Sequence, residues 1–503
     1  MRHHRRPAVL LPACPVLLAV LTLLTAALPL AAAEPIELRE GLRIDRLGAY
    51  GRTHVHRDPL IPLALTPGWT LPGISDSMRD VRGNGRVWKS AEADDNGWFA
   101  GRDYVGAYVL FTLDLDQARS MTLDARGHSL AIINGSPRAG NPYGTGWYRV
   151  PVRLEAGRNW LLFRIARGRL KATLTPTDDR ITFGNDRTLP HLLLGEPVDT
   201  PIGLPVLHHG TEPLTGARLV VDTGDGLTGV APLPWLLPES LHIANVRLRG
   251  PAPATEGERT ATIRVLDASG RELGRTTQTL DIRRPDQRHR RTFTSAIDGS
   301  AQYYAVTPAR PEADDADPPG LVLTLHGASV PAMNQARAYG HKPWCHIVAP
   351  TNRRPFGFDW EDWGRLDAHE VLADAAARYP HDPRRRWLTG HSMGGHGTWH
   401  IGVTAPDQFA AIGPSAGWIS FASYAGLDER RDRDGIEGIL ARAQAQHDTL
   451  GYVRNLETLG IYILHGDADD NVPVDQARRM RRELAEFHTN FVYYEQPGAG
   501  HWW

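Results

Sequence analysis

The sequence predicts a multidomain chain in which all-β sandwich modules precede a C-terminal α/β domain built on a mainly parallel sheet. Three observations predict it. At 503 residues the chain exceeds what one compact core accommodates. From about Leu38 to Pro285, short alternating apolar runs are separated by Gly, Pro and Asp turns, the spacing of sandwiches. From about Thr292 strand patterns alternate with helical ones, the mark of parallel strands joined by crossover helices.

Residues 1–33 stand apart. Arg2, Arg5 and Arg6 precede an apolar run from Pro15 to Leu30 that closes in Ala31-Ala32-Ala33 before Glu34, the pattern of a cleaved signal peptide. The run is shorter than the roughly 20 residues a bilayer span needs, so a secreted or periplasmic protein with no membrane segment after cleavage is expected. Removing three arginines and no acids moves the net charge from −1 to −4, which offers nothing to nucleic acid. Cys14 departs with the signal, leaving Cys345 within the apolar run 344–349 as a buried core thiol without a disulfide partner.

Residues 34–195 are read as the first β module. The strand Val105–Leu115, the turn Ile133-Asn134-Gly135 and the closing run 150–159 resemble jelly-roll, galactose-binding-like modules. That resemblance implies possible glycan binding, for which Tyr143, Trp147 and Tyr148 are the candidate stacking platform, against burial in the sandwich core. Residues 196–285 are read as an Ig-like module in which Thr260–Leu266 and Thr276–Ile282 flank the turn 267–270. The arginine-rich stretch 283–291 is read as a solvated linker.

The domain 286–503 carries the chemistry. Strands are expected at Leu321–Leu325, His346–Ala349, Arg386–Thr389, Ala411–Pro414, Ile461–Leu464 and Phe491–Glu495, with helices at Asp367–Tyr379 and Val474–Phe487. The strand at Arg386 runs into Gly390-His391-Ser392-Met393-Gly394, a G-x-S-x-G turn ahead of a helical segment, so Ser392 is the candidate nucleophile. A serine hydroxyl needs a base, and a base needs an orienting acid. Past the strand at Ile461 comes His465-Gly466-Asp467-Ala468-Asp469-Asp470, and past the strand at Phe491 comes Gly500-His501. His501 is the candidate base and Asp469 the acid, with Asp467 and Asp470 as fallbacks. The N–H of Met393 and that of Ala328, in the loop His326-Gly327-Ala328-Ser329, are the candidate oxyanion donors, with Ser329 as the alternative second donor.

Metal readings fail on their own terms. The opening Asp467-x-Asp469-x-Asn471 matches an EF-hand, but Val472 and Arg478 stand where Gly and Glu are required. His396 and His400 are four apart without the Glu and third ligand of a zinc site. No cofactor or metal is expected.

Through Gly390–Gly395, the His465-Gly466…Asp469…Val472-Pro473 run and Gly500-His501, the chain from about Thr292 resembles the prolyl oligopeptidase-like and esterase branches of the α/β-hydrolases. The resemblance implies cleavage of a peptide or carboxylic ester bond through an acyl-serine, with a small-molecule, peptide or polysaccharide-linked ester as substrate. A carbohydrate esterase, or a glycan-binding protein with an idle hydrolase domain, is the competing reading. Two departures accompany it. No propeller-like repeat precedes the domain. The chain is also expected to stop short of the fold's closing helix, leaving His501 on a terminus prone to fray. The aromatic segment 356–363 and the polar insertion 420–458 are the candidate pocket wall and cap.

Overall fold

The computed structural model describes residues 34–50, 56–312, 317–353, 359–425 and 434–503. The expected signal peptide, Phe356–Phe358 and the charged run 428–433 of the insertion lie outside the described residues.

The N-terminal region is β-rich throughout, and its described residues form three separate cores, two of them on opposite faces of one sheet. In the first, a six-stranded sheet that includes His128–Ile133, Gly157–Ile165 and Tyr108–Leu115 faces a five-stranded sheet that includes Arg169–Pro176, Arg119–Arg126 and Arg149–Leu154. Val109, Phe111, Leu161 and Phe163 meet Met121, Leu123, Ala172 and Leu174 between the two. The opposite faces of the same strands, through Tyr108, Leu110, Ile132 and Leu162, are buried against Leu60, Ala64 and Trp88. Burial on both faces explains why Tyr108–Phe111 reads as an unbroken apolar run. The tight turn at Asn134-Gly135 has φ of 47° and 85°, the left-handed pair that a two-residue hairpin demands.

The third core lies within one eight-stranded sheet, antiparallel except where Leu192–Leu193 pairs parallel to Glu272–Arg283. The division expected at 195/196 falls inside this sheet. Ile181–Phe183 bonds to Val198–His208, because Ile181 and Leu192 complete the apolar surface that Val206 and Ile282 would otherwise expose.

The C-terminal sheet has eight strands: β1 (His289–Thr294), β2 (Ala301–Thr307), β3 (Gly320–Leu325), β4 (Cys345–Ala349), β5 (Arg386–His391), β6 (Ala411–Ser415), β7 (Gly460–Gly466) and β8 (Phe491–Gln496). Their order is β1-β2-β4-β3-β5-β6-β7-β8, and every pairing from β4 to β8 is parallel. Leu321, Leu323, Leu388, Ile412 and Ile463 share a core with residues of helices α1 (Asp362–Arg378), α2 (Met393–Thr404) and α3 (Asp475–Ala485). Each of these side chains contributes about 1.5–3 kcal/mol by leaving water. The carboxyl ends of β3, β5, β7 and β8 open at one edge of the sheet, where doubly wound folds place their ligands.

The stretch expected as a linker is not one. Arg290 and Arg291 are part of β1, and Arg291 is largely buried with both terminal nitrogens on Glu196 at 2.6 and 2.7 Å. A partner almost a hundred residues away neutralises a charge that looked destined for solvent.

Candidate active site

The turn from β5 into α2 is built by steric necessity. A Cβ on Gly394 would lie 2.0 Å from the Leu325 carbonyl oxygen, and one on Gly390 would lie 2.4 Å from that of Gly394. Only glycines let β3, β5 and α2 approach this closely. Ser392 pays for the turn with φ 61° and ψ −120°, a conformation that costs a non-glycine residue on the order of 1–3 kcal/mol. Its N–H donates to the Ser415 carbonyl at 3.0 Å and its carbonyl accepts from His396 N at 3.1 Å, which fixes the turn from both sides.

The other two residues of the expected triad come to the same place. The Ser392 hydroxyl lies 2.9 Å from His501 Nε2, and His501 Nδ1 lies 2.8 Å from Asp469 Oδ2. All three side chains are buried or nearly so. The second Asp469 oxygen accepts the Asn471 and Val472 N–H groups at 2.9 and 2.8 Å. Burial alone would raise this carboxyl, but the bonds from His501 and the two backbone donors outweigh it and hold it below the usual carboxylate range. A carboxylate that only accepts forces His501 to carry its proton on Nδ1, leaving Nε2 free to receive the serine proton.

The two fallback acids are not equivalent to it. Asp470 is exposed. Asp467 Oδ1 instead accepts the Gly498 N–H at 2.6 Å, and the Ala468 N–H reaches the Ala499 carbonyl at 3.0 Å, so β7's loop grips the segment carrying His501. His391 adds a further hold, with Nε2 2.9 Å from the His501 carbonyl and Nδ1 3.0 Å from the Ser415 hydroxyl. Burial, aided by the neighbouring His501, pushes His391 down to about 4, so it is neutral and donates through Nε2. These bonds supply the support whose absence would make His501 fray. His391 was within sight in the sequence, one residue before the serine, yet its role depends on a carbonyl 110 residues away.

Met393 is the first residue of α2, where the N–H has no intrahelical acceptor. The loop carrying Ala328 borders the nucleophile, since a Cβ on Gly327 would sit 3.7 Å from Ser392 Cβ. Ser329, the alternative donor, has φ 63°. Asp359, which falls in the expected pocket-wall segment 356–363 without a role of its own, donates its N–H to Met393 Sδ at 3.1 Å. Burial first and the Glu361 carboxylate second push its carboxyl up to about 7.

The expected pocket wall separates into two kinds of residue. Trp360 is fully buried, gives its indole N–H to the His326 carbonyl at 3.1 Å and packs on Gly397, so it is core. Trp363 is exposed beneath the Arg353 guanidinium. His396 has one ring nitrogen 2.9 Å from Glu361 and the other 3.0 Å from the Trp418 carbonyl, and its ring stacks on Trp418. His400 lies beside it, buried. Part of the insertion packs inward: Asn455 donates to the Val403 carbonyl at 2.8 Å and Leu456 joins the core. Cys345 is buried with its thiol pushed up to about 11, an inert core group. In the first module Tyr148 is buried edge-on to His128, and the Arg167 guanidinium stands 4.2 Å from the Tyr143 ring, so these aromatics do not form an open platform.

The sequence profile of the prolyl oligopeptidase family (Peptidase_S9) matches residues 353–503. An uncharacterized secreted protein of Arthroderma benhamiae is 31% identical over 204 residues, 36% of this chain and 21% of that one. The uncharacterized peptidase YuxL of Bacillus subtilis is 29% identical over 222 residues, 39% and 33% of the two chains. This chain thus spans about a fifth and a third of those relatives' lengths. Among solved structures, a thermostable esterase aligns at 17% identity and TM-score 0.32 over 64% of this chain and 92% of its own. A ferulic acid esterase aligns at 18% identity and TM-score 0.33 over 42% and 90%. The likeness to the prolyl oligopeptidase family thus lies within residues 353–503, the stretch that carries Ser392, Asp469 and His501.

Proposed function

We propose that this protein is a secreted serine hydrolase that cleaves a carboxylic ester or peptide bond through an acyl-Ser392 intermediate. The observation that carries the reading is the hydrogen-bond chain from the Asp469 carboxylate through His501 to the Ser392 hydroxyl. His501 Nε2 takes the Ser392 proton as the hydroxyl oxygen attacks the acyl carbon. The imidazolium that forms is stabilised by Asp469, and the oxyanion is received by the Met393 and Ala328 N–H groups. His501 then gives its proton to the departing alcohol or amine, and a water molecule activated by the same nitrogen hydrolyses the acyl-serine. Secretion is supported by the arginine-led apolar segment of residues 1–33 and by the likeness to a secreted protein of Arthroderma benhamiae.

A fluorophosphonate probe is expected to label the wild-type protein and not Ser392→Ala; a folded full-length chain that stays unlabelled overturns the proposal. Asp469→Asn is expected to lower kcat by about 10⁴, whereas Asp470→Asn changes it by less than about threefold. A panel of short acyl esters, feruloyl esters and prolyl amides then assigns the bond.

A further inference from the structure

A cleft of about 690 Å³ lies on the outward face of the first module's five-stranded sheet and is lined in part by Thr182 and Phe183 of the second. Its walls carry Trp98, Asp124, Arg126, Arg149 and Lys171, with threonines of the same strands between them. On Arg119–Arg126 the inward residues Met121, Leu123 and Ala125 are fully buried, yet the outward Thr122, Asp124 and Arg126 are also half-buried. The cleft is therefore lined by partly buried polar side chains, and a concave site with a few placed polar groups is what orients a ligand.

The chemistry of the walls selects the ligand. Asp124 stands between two guanidiniums, 3.4 Å from Arg126 and 3.3 Å from Arg149, which holds both forks in place while cancelling one of their charges. Lys171 adds a third cation, 3.6 Å from Glu37. The remaining positive charge favours an anion, and guanidinium forks match carboxylates in a planar geometry. A single small ion would leave most of the volume empty. An acidic peptide finds no open strand edge on the cleft floor, because Arg119–Arg126 and Arg169–Pro176 are each paired along both edges; the edge strand Arg149–Leu154 borders it, so an acidic polypeptide is carried as an arm of the test. What the floor does present is threonine hydroxyls, each a donor and an acceptor, together with the half-buried Trp98 ring. Hydroxyl-rich ligands with apolar ring faces meet that combination.

We propose that this cleft binds an oligosaccharide bearing carboxylate groups, a site separate from the hydrolase centre. The test uses the full chain with Ser392→Ala, so that ester-bearing probes are not consumed, and three probes in calorimetry: oligogalacturonate, its methyl ester and poly-L-glutamate. Oligogalacturonate is expected to bind, to bind at least about tenfold more tightly than its methyl ester, and to weaken by about tenfold or more in Arg126→Gln/Arg149→Gln. Binding should also weaken with added salt. Equal binding of the methyl ester removes the carboxylate from the proposal, equal binding of polyglutamate removes the sugar, and undiminished binding by the double variant removes the cleft. Failure of the parent to bind any probe overturns it outright. Hydrolysis of a soluble nitrophenyl ester by the double variant with Ser392 restored reports on folding. Should that variant unfold, Lys171→Gln with its salt dependence decides by the same criteria.

Discussion

Asp367 on α1 is fully buried; Oδ2 accepts the Arg353 N–H at 3.3 Å, and Oδ1 makes no hydrogen bond of normal geometry among the described residues. Burial pushes the carboxyl up to about 7, against the smaller lowering by that bond and by the Arg353 charge. The unfolded chain ionises near the ordinary carboxylate value of about 4, so the stabilising contribution of the protonated form is complete below that pH. It is lost as pH rises through 7. Asp367→Asn removes the titration: urea unfolding at pH 5 and pH 8 should show the variant gaining on the wild type by about 1 kcal/mol or more at the higher pH. Parallel pH profiles would show that this carboxyl is not the source. Asp469 contrasts with it, since two backbone N–H groups and His501 meet its charge. The sequence ranked Asp469 first by spacing within an acid-rich loop. It held no hint of Asp359 or Asp367, because an acid's burial is decided by what packs over it and not by its neighbours in the chain.

At the scale of elements, the turn around Ser392 depends on interlocking backbones more than on side chains. Gly394→Ala would drive a methyl group into the Leu325 carbonyl, and β3 and α2 have no flexible side chain there to yield. The variant is expected to lose about 1–3 kcal/mol of stability and most of the hydrolytic turnover proposed above. Gly340→Ala, where nothing lies within 4 Å, should leave both unchanged, and thermal melts with initial rates compare the pair. A Gly394→Ala enzyme of normal rate would refute the packing argument. This turn was legible because strand, glycines and helix are contiguous. The expected strands at Leu321, Arg386, Ala411, Ile461 and Phe491 appear within a residue or two, since a buried parallel strand is a short apolar block. Helix α1 begins at Asp362, ahead of the expected Asp367, because its first turn lacks the buried stripe that Val371, Leu372 and Ala375 provide. Strands β1 and β2 were illegible: arginines in β1 masked an antiparallel pair whose charges are answered from elsewhere.

Across the whole molecule, β1 is where the β-rich region and the C-terminal sheet are joined. Arg291 is shared between Glu196 and the Tyr379 hydroxyl at 3.1 Å, His191 takes the Arg290 N–H at 3.1 Å, and the Thr200 and Thr292 hydroxyls meet at 2.6 Å. Sequence reading separated these residues into different modules because charge runs between periodic segments usually mark linkers. Here the polar groups are consumed by the junction, which makes unfolding of the second β unit costly to the C-terminal sheet. Arg291→Met leaves Glu196 without its partner, and because Glu196 is partly exposed the loss should be about 1–3 kcal/mol, less than for a fully buried pair. Calorimetry should then resolve two transitions where the wild type shows one for these two units. Adding Glu196→Gln removes the stranded charge and should recover part of the stability without rejoining the transitions, since the bidentate bond is what couples them. If Arg291→Met melts in the same single step at the same temperature, the coupling runs through the apolar contacts of β1 instead.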